Sequence, residues 1–241
     1  MTEISKRRGV RAATHPAAPT GWEARATERM LEANRDQLLR RSRQIVDAAY
    51  ELLDEAGLEG LTIRAVLKRT GLSRRAFYER FADKDELVLA VFEQTIQRAA
   101  SHYREQIKAL RDPLQRLQLI LNSIVLTRSA QDGVESTTQG SGRRGAAMSR
   151  EHLRLAQSRA ADLQVALAPL LALIAQQLAD GMAMGSVRAG DPQRLATLVY
   201  NLVSTTVHTA LLAEESARLN RAQQARLASE IWEFCRRAIA A

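Results

Sequence analysis

The chain has 241 residues, enough to bury a core in one large domain or two modest ones, and its plentiful Ala and Leu with sparse Gly and Pro favour an all-helical protein. The single cysteine, Cys235, excludes an intrachain disulfide and a cysteine zinc cluster; no apolar run approaches a membrane span and no secretory apolar core opens the chain, so the cytoplasm is the expected compartment. The net charge of +8 divides into +3 over residues 1–91 and +5 over residues 92–241, so it points to no polyanion by itself and local basic faces carry the signal instead.

Residues 1–37 read as a flexible basic arm and a helical extension. Met1 to Gly21 mixes Lys6, Arg7, Arg8 and Arg11 with Ala, Thr and Pro and shows no apolar period, which predicts a loosely ordered segment. It is either a solvated tail or an arm that reaches a minor groove or phosphates. Trp22 to Arg40 is strongly charged, with Met30, Leu31, Leu38 and Leu39 among few large apolar residues. Its composition predicts helix, continuing into Arg41–Glu55.

Leu61 to Phe81, LTIRAVLKRTGLSRRAFYERF, predicts two short helices around a tight turn. Thr62 is an N-cap, Ile63, Val66, Leu67 and Thr70 share one face, and Gly71 supplies the left-handed residue that ends a helix. Ser73 is a second N-cap. Ala76, Phe77 and Phe81 then turn inward, leaving Arg74, Arg75 and Tyr78 together on the opposite face. Two arginines at the start of a second helix suit guanine O6 and N7, because a planar guanidinium donates two parallel hydrogen bonds. A helical hairpin with a solvated basic face is the other reading of these residues alone. Glu79 beside them is repelled by phosphate unless it meets a cytosine amine or pairs with an arginine.

Ala82-Asp83-Lys84-Asp85-Glu86-Leu87 follows immediately. With Tyr78 and Phe81 it resembles the Y-x-x-F-x-x-K-x-x-L signature of the TetR family of transcriptional regulators. Ile45, Ala48, Ala49, Leu52, Leu53, Gly57, Leu61, Thr62, Ile63, Ala65, Val66, Gly71 and Ser73 fit the same pattern, which spans roughly Arg41 to Phe92. The resemblance implies an all-α fold: an N-terminal three-helix unit with a helix-turn-helix over residues 38–86, then a helical ligand-binding and dimerisation domain over residues 87–241. It also implies a palindromic double-stranded operator as partner, with Thr62, Tyr78 and Lys84 on phosphates, Ser73 at the helix start, and Arg74 and Arg75 near bases.

Downstream, Asp85 opens a long helix with Leu87, Val88, Val91, Phe92 and Ile96 on one side, expected to reach about Leu110. Asp112-Pro113 restarts a helix to about Thr127 that is apolar on most faces. Ala130 to Ala146 is a loop by composition. Its Gly140-Ser-Gly-Arg-Arg-Gly145 matches G-x-G-x-x-G, but without a preceding strand the dinucleotide reading fails. Met148 to about Met184 is helical, with Pro169 predicting a break or kink near Ala168. Asp191-Pro192 opens another helix through Leu195, Val199 and Val203, and a last one runs from about Ala222.

His15, His102, His152 and His208 stand in no metal-binding frame, and no nucleophile elbow or Walker loop is present, so no catalytic residue, metal or cofactor is assigned. The expectation is a homodimeric regulator, acting as a repressor, whose last two long helices form the subunit interface. A mostly apolar effector is expected to bind among the helices between about Leu87 and Val203, with Tyr103, Asn122, Tyr200 and His208 as the polar-tipped candidates, although each taken singly reads first as ordinary core packing. A helical carrier or enzyme that never touches DNA is the alternative from another class.

Overall fold

Apart from one antiparallel bridge, Val187 with Ala240, helix is the only regular structure among the described residues. The computed structural model describes residues 21–130, 150–213 and 221–241. The basic arm over residues 1–20 and the glycine-containing connection 140–145 lie outside them. The chain divides between Ser42 and Arg43 into two units.

Helix α1 (Gly21–Gly60) begins in the first unit, where Met30, Leu31, Leu38 and Leu39 are all exposed. From Arg43 onward α1 belongs to the second unit, and Gly57, at φ 67° and ψ −167°, breaks it near its end. The second unit continues with α2 (Ile63–Thr70), α3 (Arg74–Tyr78), α4 (Lys84–Ile107), α5 (Pro113–Ala130), α6 (150–158), α7 (Ala160–Ala183), α8 (Pro192–Ala213) and α9 (Arg221–Ile239).

One apolar core runs through this unit. Ile45, Ala49 and Leu53 of α1 meet Val66 and Phe77, and Leu87 and Val91 of α4 carry the core onward to Leu117 and Ile120 of α5, Ile174 and Leu178 of α7, and Val203 of α8. The central helix is α5, which packs against α4, α7, α8 and α9. Asp47 of α1 fastens α4, its Oδ1 accepting from Gln94 Nε2 at 3.0 Å and Arg98 Nη2 at 2.6 Å. The Arg98 guanidinium also lies 4.8 Å over the Tyr50 ring.

Three expectations are corrected. The long fourth helix stops at Ile107 rather than Leu110, because the Leu110 N–H bonds the Ile107 carbonyl in a tighter turn. Pro169 sits inside an unbroken α7, and the chain breaks instead at Arg159, at φ −143° and ψ 51°. The carbonyl that Pro169 leaves without an intrahelical donor belongs to Val165, a residue that is 70% exposed, so water can reach that face. Finally, α7 is long and apolar enough to cross a membrane, with a mean hydropathy of 1.4, although 56% of that window is buried inside the protein. Its packing on α4, α5 and α8 accounts for that composition.

After α7 the chain turns tightly, with the Ser186 and Val187 N–H groups both donating to the Gly181 carbonyl at 2.9 and 3.1 Å. A Cβ on Gly181 would lie 2.5 Å from Val187 Cγ2, so this turn needs a glycine. Arg188 N–H then bonds the Ile239 carbonyl at 3.0 Å, tying the chain's last helix to the turn.

Candidate nucleic-acid interface

Local chemistry builds the two-helix unit as the sequence predicts. Thr62 Oγ1 accepts from Ala65 N–H at 3.1 Å and Ser73 Oγ from Ala76 N–H at 3.2 Å, so each hydroxyl satisfies a donor that its helix cannot. Gly71 ends α2 in the left-handed region at φ 68°, its N–H on the Leu67 carbonyl. From α1, Gln44 Nε2 donates to the Thr70 carbonyl at 3.2 Å, and Arg69 forks onto Glu55 at 2.9 and 2.6 Å. The guanidinium holds the Glu55 carboxyl below its usual range. These contacts set the angle between α2 and α1.

Phe77 is the anchor of α3. It is fully buried, with Phe81 at 5.6 Å and the Tyr78 ring edge-on at 5.3 Å. α3 is shorter than the pattern predicts, because the Arg80 N–H turns back onto the Phe77 carbonyl at 2.9 Å; the Phe81 N–H still makes a helical bond to that same carbonyl, at 3.0 Å. With Phe77 inward, Ser73, Arg74, Arg75 and Tyr78 emerge on one exposed face. The Tyr78 residue is 53% exposed and the Arg75 side chain 89%.

Charges on this face are partly committed. Glu79 Oε1 accepts from Arg75 Nε at 2.9 Å, and this hydrogen bond depresses the Glu79 pKa. Behind it, the Arg80 side chain is 5% exposed, donates to the Ala76 carbonyl, and stands 3.5 Å from Glu79 Oε2. Arg80, Glu79 and Arg75 thus form a chain from the interior to the surface. Arg74 is exposed with no ion pair among the described residues, which makes it the uncommitted guanidinium of the pair.

Lys84 is half-buried, and its Nζ donates to the Leu58 carbonyl at 3.3 Å, fastening the start of α4 to the end of α1. An ammonium has three donors, so two remain. Asp83 caps α4 through Glu86 N–H at 2.8 Å, while Glu86 Oε2 accepts from Ala82 N–H at 2.6 Å. Arg64 and Lys68, exposed one turn apart on α2, were not among the residues singled out from the sequence. Their signal was legible: both fall opposite the Ile63, Val66 and Leu67 stripe.

One cleft takes two of the four effector candidates. Tyr103 and Asn122 line a cleft of ≈ 580 Å³ between α4 and α5, with His102, Gln106, Gln115 and Gln118 nearby. Tyr200 and His208 lie outside that lining. Tyr200 is buried on α8, its ring 5.9 Å from His152, which in turn is 6.1 Å from Phe92. His208 is buried further along α8. The lining mixes four amides, a hydroxyl, a phenol and an imidazole with three leucines. Arg154 on α6 joins Asp85 of α4 at 2.9 Å and Glu151 at 2.8 Å. Among the described residues, no three His, Cys, Asp or Glu side chains converge as a metal site.

Two capped helices joined through Gly71, with α2 tied to α1 through Gln44 and Glu55, define a helix-turn-helix unit. Residues 45–91 match the family described as bacterial regulatory proteins, tetR family. The helix-turn-helix unit of this chain is thus similar to the corresponding unit of the TetR family. An HTH-type transcriptional repressor of Mycobacterium tuberculosis is 35% identical over 72 residues, which are 30% of this chain and 38% of that protein. The chain therefore spans well under half the length of that relative in the matched region. A TetR-family regulator from Pectobacterium atrosepticum has the same fold, with a TM-score of 0.65, 18% identity, and coverage of 86% of this chain and 97% of that one. So does RolR, solved with resorcinol, with a TM-score of 0.62 at 16% identity, covering 85% of this chain and 89% of its own.

Proposed function

We propose that the protein is a cytoplasmic, homodimeric repressor that binds a palindromic operator in duplex DNA, is released by a small molecule, and catalyses no reaction. The observation that carries this reading is the exposed face of α3, where Ser73, Arg74, Arg75 and Tyr78 stand on a helix seated by the buried Phe77. Arg74 and Arg75 supply base readout, and Thr62, Tyr78 and Lys84 hold phosphates, joined by Arg64 and Lys68. In this reading residues 38–86 are the DNA-binding domain, residues 1–37 its extension, and residues 87–241 the effector and dimerisation domain.

A single helix-turn-helix makes few contacts, and a two-fold dimer doubles them on an inverted repeat. The exposed side of α8 carries Leu198 and Leu202, and that of α9 carries Phe234, at 57%, 36% and 63% exposure. Such a stripe is costly in water and supports the assignment of α8 and α9 to the dimer interface. The relative of M. tuberculosis is named a repressor, and the neighbour solved with resorcinol binds a small molecule; both support the regulatory half of the proposal.

The test is selection of genomic fragments by the purified full-length protein, followed by footprinting across a salt series. The expected result is protection of an inverted repeat whose half-sites lie roughly 34 Å apart, or a multiple of that. Equal affinity for all fragments at every salt concentration would leave the helical carrier as the better description.

A further inference from the structure

We propose that the α4–α5 cleft binds an uncharged amphipathic small molecule bearing several hydroxyl or amide groups on an aromatic or short aliphatic frame. Its regulatory consequence rests on the reading above, whereas the site itself rests on the geometry of the hairpin.

The surface is periodic. Gln115, Gln118, Leu119, Asn122, Ser123 and Leu126 recur at steps of three, one, three, one and three along α5, which places them on one face of the helix. Across the cleft, α4 presents His102, Tyr103 and Gln106, and Leu110 closes the end near the turn. Three leucines give an apolar strip on which a ring or short chain can lie. The amides on either side each offer donors and an acceptor. A volume of ≈ 580 Å³ falls within the roughly 300–1,000 Å³ usual for small-molecule sites.

The charge of the ligand follows from what the lining lacks. None of its side chains carries a permanent charge. Two of the cations nearby are occupied: Lys108 Nζ bonds both oxygens of Glu105 at 2.7 and 2.6 Å. Arg116 Nε donates to the Leu110 carbonyl at 2.7 Å, and Arg116 Nη1 stands 3.5 Å from Asp180. A carboxylate or phosphate entering here would lose water without gaining a counter-ion. A hydrocarbon would leave the amides unpaired. Asn122 Oδ1 adds a specific demand, since it is buried and accepts no hydrogen bond from the described residues. A ligand hydroxyl or N–H would satisfy it.

The experiment is calorimetric titration and thermal shift on the full-length protein. Phenyl glucoside and benzamide are the neutral probes; octanoate and naphthalene are the anionic and apolar controls. The neutral probes should bind and raise Tm, and the controls should not. Asn122→Leu and Gln118→Leu should each weaken neutral-probe binding about tenfold, equivalent to about 1.4 kcal/mol. Gln118→Glu, a change that keeps shape and adds charge, should turn the preference from benzamide to the cation benzamidine. Octanoate binding as tightly as the neutral probes would overturn the proposal. So would neutral probes that do not bind at millimolar concentration, or affinities that none of the three variants moves. Operator binding is measured separately on the same preparation. Cleft binding without any preference among duplexes supports the site and removes the regulator reading alone.

Discussion

Two helical hairpins in this chain are built by the same devices and end in opposite chemistry. Between α2 and α3 the turn is Gly71-Leu72-Ser73, and the outer face beyond it carries Arg74 and Arg75. Between α4 and α5 the turn runs from Lys108 to Asp112, where Asp112 Oδ1 accepts from Leu114 N–H at 3.0 Å, and the outer face carries Gln115, Gln118 and Asn122. Both hairpins rest on the same core. Folding therefore constrains the inward residues of each, and leaves the outward ones free to be guanidinium for a polyanion or amide for a neutral ligand. Function here is read from the outer faces.

The largest expected effect separates that outer chemistry from its support. Phe77→Ala removes a fully buried ring beneath the arginines and should cost about 3–5 kcal/mol in chemical denaturation. Specific DNA binding should be lost with it, although no candidate DNA contact has changed. Retention of full stability would mean that α3 is not anchored by this ring.

Arg74→Ala tests the outer face itself. Its guanidinium is uncommitted, so truncation should cost about 1–3 kcal/mol on the preferred site and relax specificity there, without lowering Tm. Fluorescence anisotropy on matched and scrambled duplexes reads the difference. If Arg74→Ala and Arg75→Ala both left specific binding intact, α3 would not be the recognition helix.

Much of this was legible because the determinants are local. Thr62 to Ala65, Ser73 to Ala76 and Gly71 to Leu67 are bonds within three or four residues, so sequence spacing alone places them. What was not legible depends on tertiary register. Tyr103, Asn122, Tyr200 and His208 are all polar-tipped residues on apolar helices, but packing sends Tyr103 and Asn122 to a cleft and Tyr200 toward His152. The polar stripe of α5 was present in the sequence and was masked by the leucines and isoleucines interleaved with it. Pro169 misled because its cost depends on whether the Val165 carbonyl faces solvent, which requires knowing the burial of α7.

Glu79→Gln sharpens the comparison from the side of the charged hairpin. It removes the carboxylate that engages Arg75 and stands near Arg80, freeing a cation on the reading face. Affinity for all duplexes should rise, with the salt dependence steepening by about one unit, and discrimination among sequences should fall. Lys84→Met should do the reverse to the salt dependence, flattening it by about one unit across all sequences.

The smallest effect comes from the same carboxylate–arginine arrangement at the far end of the chain, where no DNA contact is proposed. Glu233 on α9 accepts from Arg236 Nε at 3.0 Å and Arg237 Nε at 2.7 Å, and these bonds hold its pKa down from 4.5 to about 2. A carboxylate with a folded pKa below its unfolded one contributes stability that is complete above the unfolded value and drains away as pH falls through the folded one. The contribution of Glu233 should therefore be present at pH 5 and lost progressively between about pH 4.5 and 2. The group is fully exposed, so solvent screens it and the change in Tm should be slight and should shrink further in high salt. Thermal melts of the wild type and Glu233→Gln across that range isolate it from the other carboxylates: the two curves should converge toward pH 2 and separate above pH 4.5. DNA affinity of the variant should match the wild type at neutral pH, in contrast with Glu79→Gln. Equal changes in affinity from both variants would show that the effect of Glu79 is one of overall charge, and that the α3 face holds no privileged arginine.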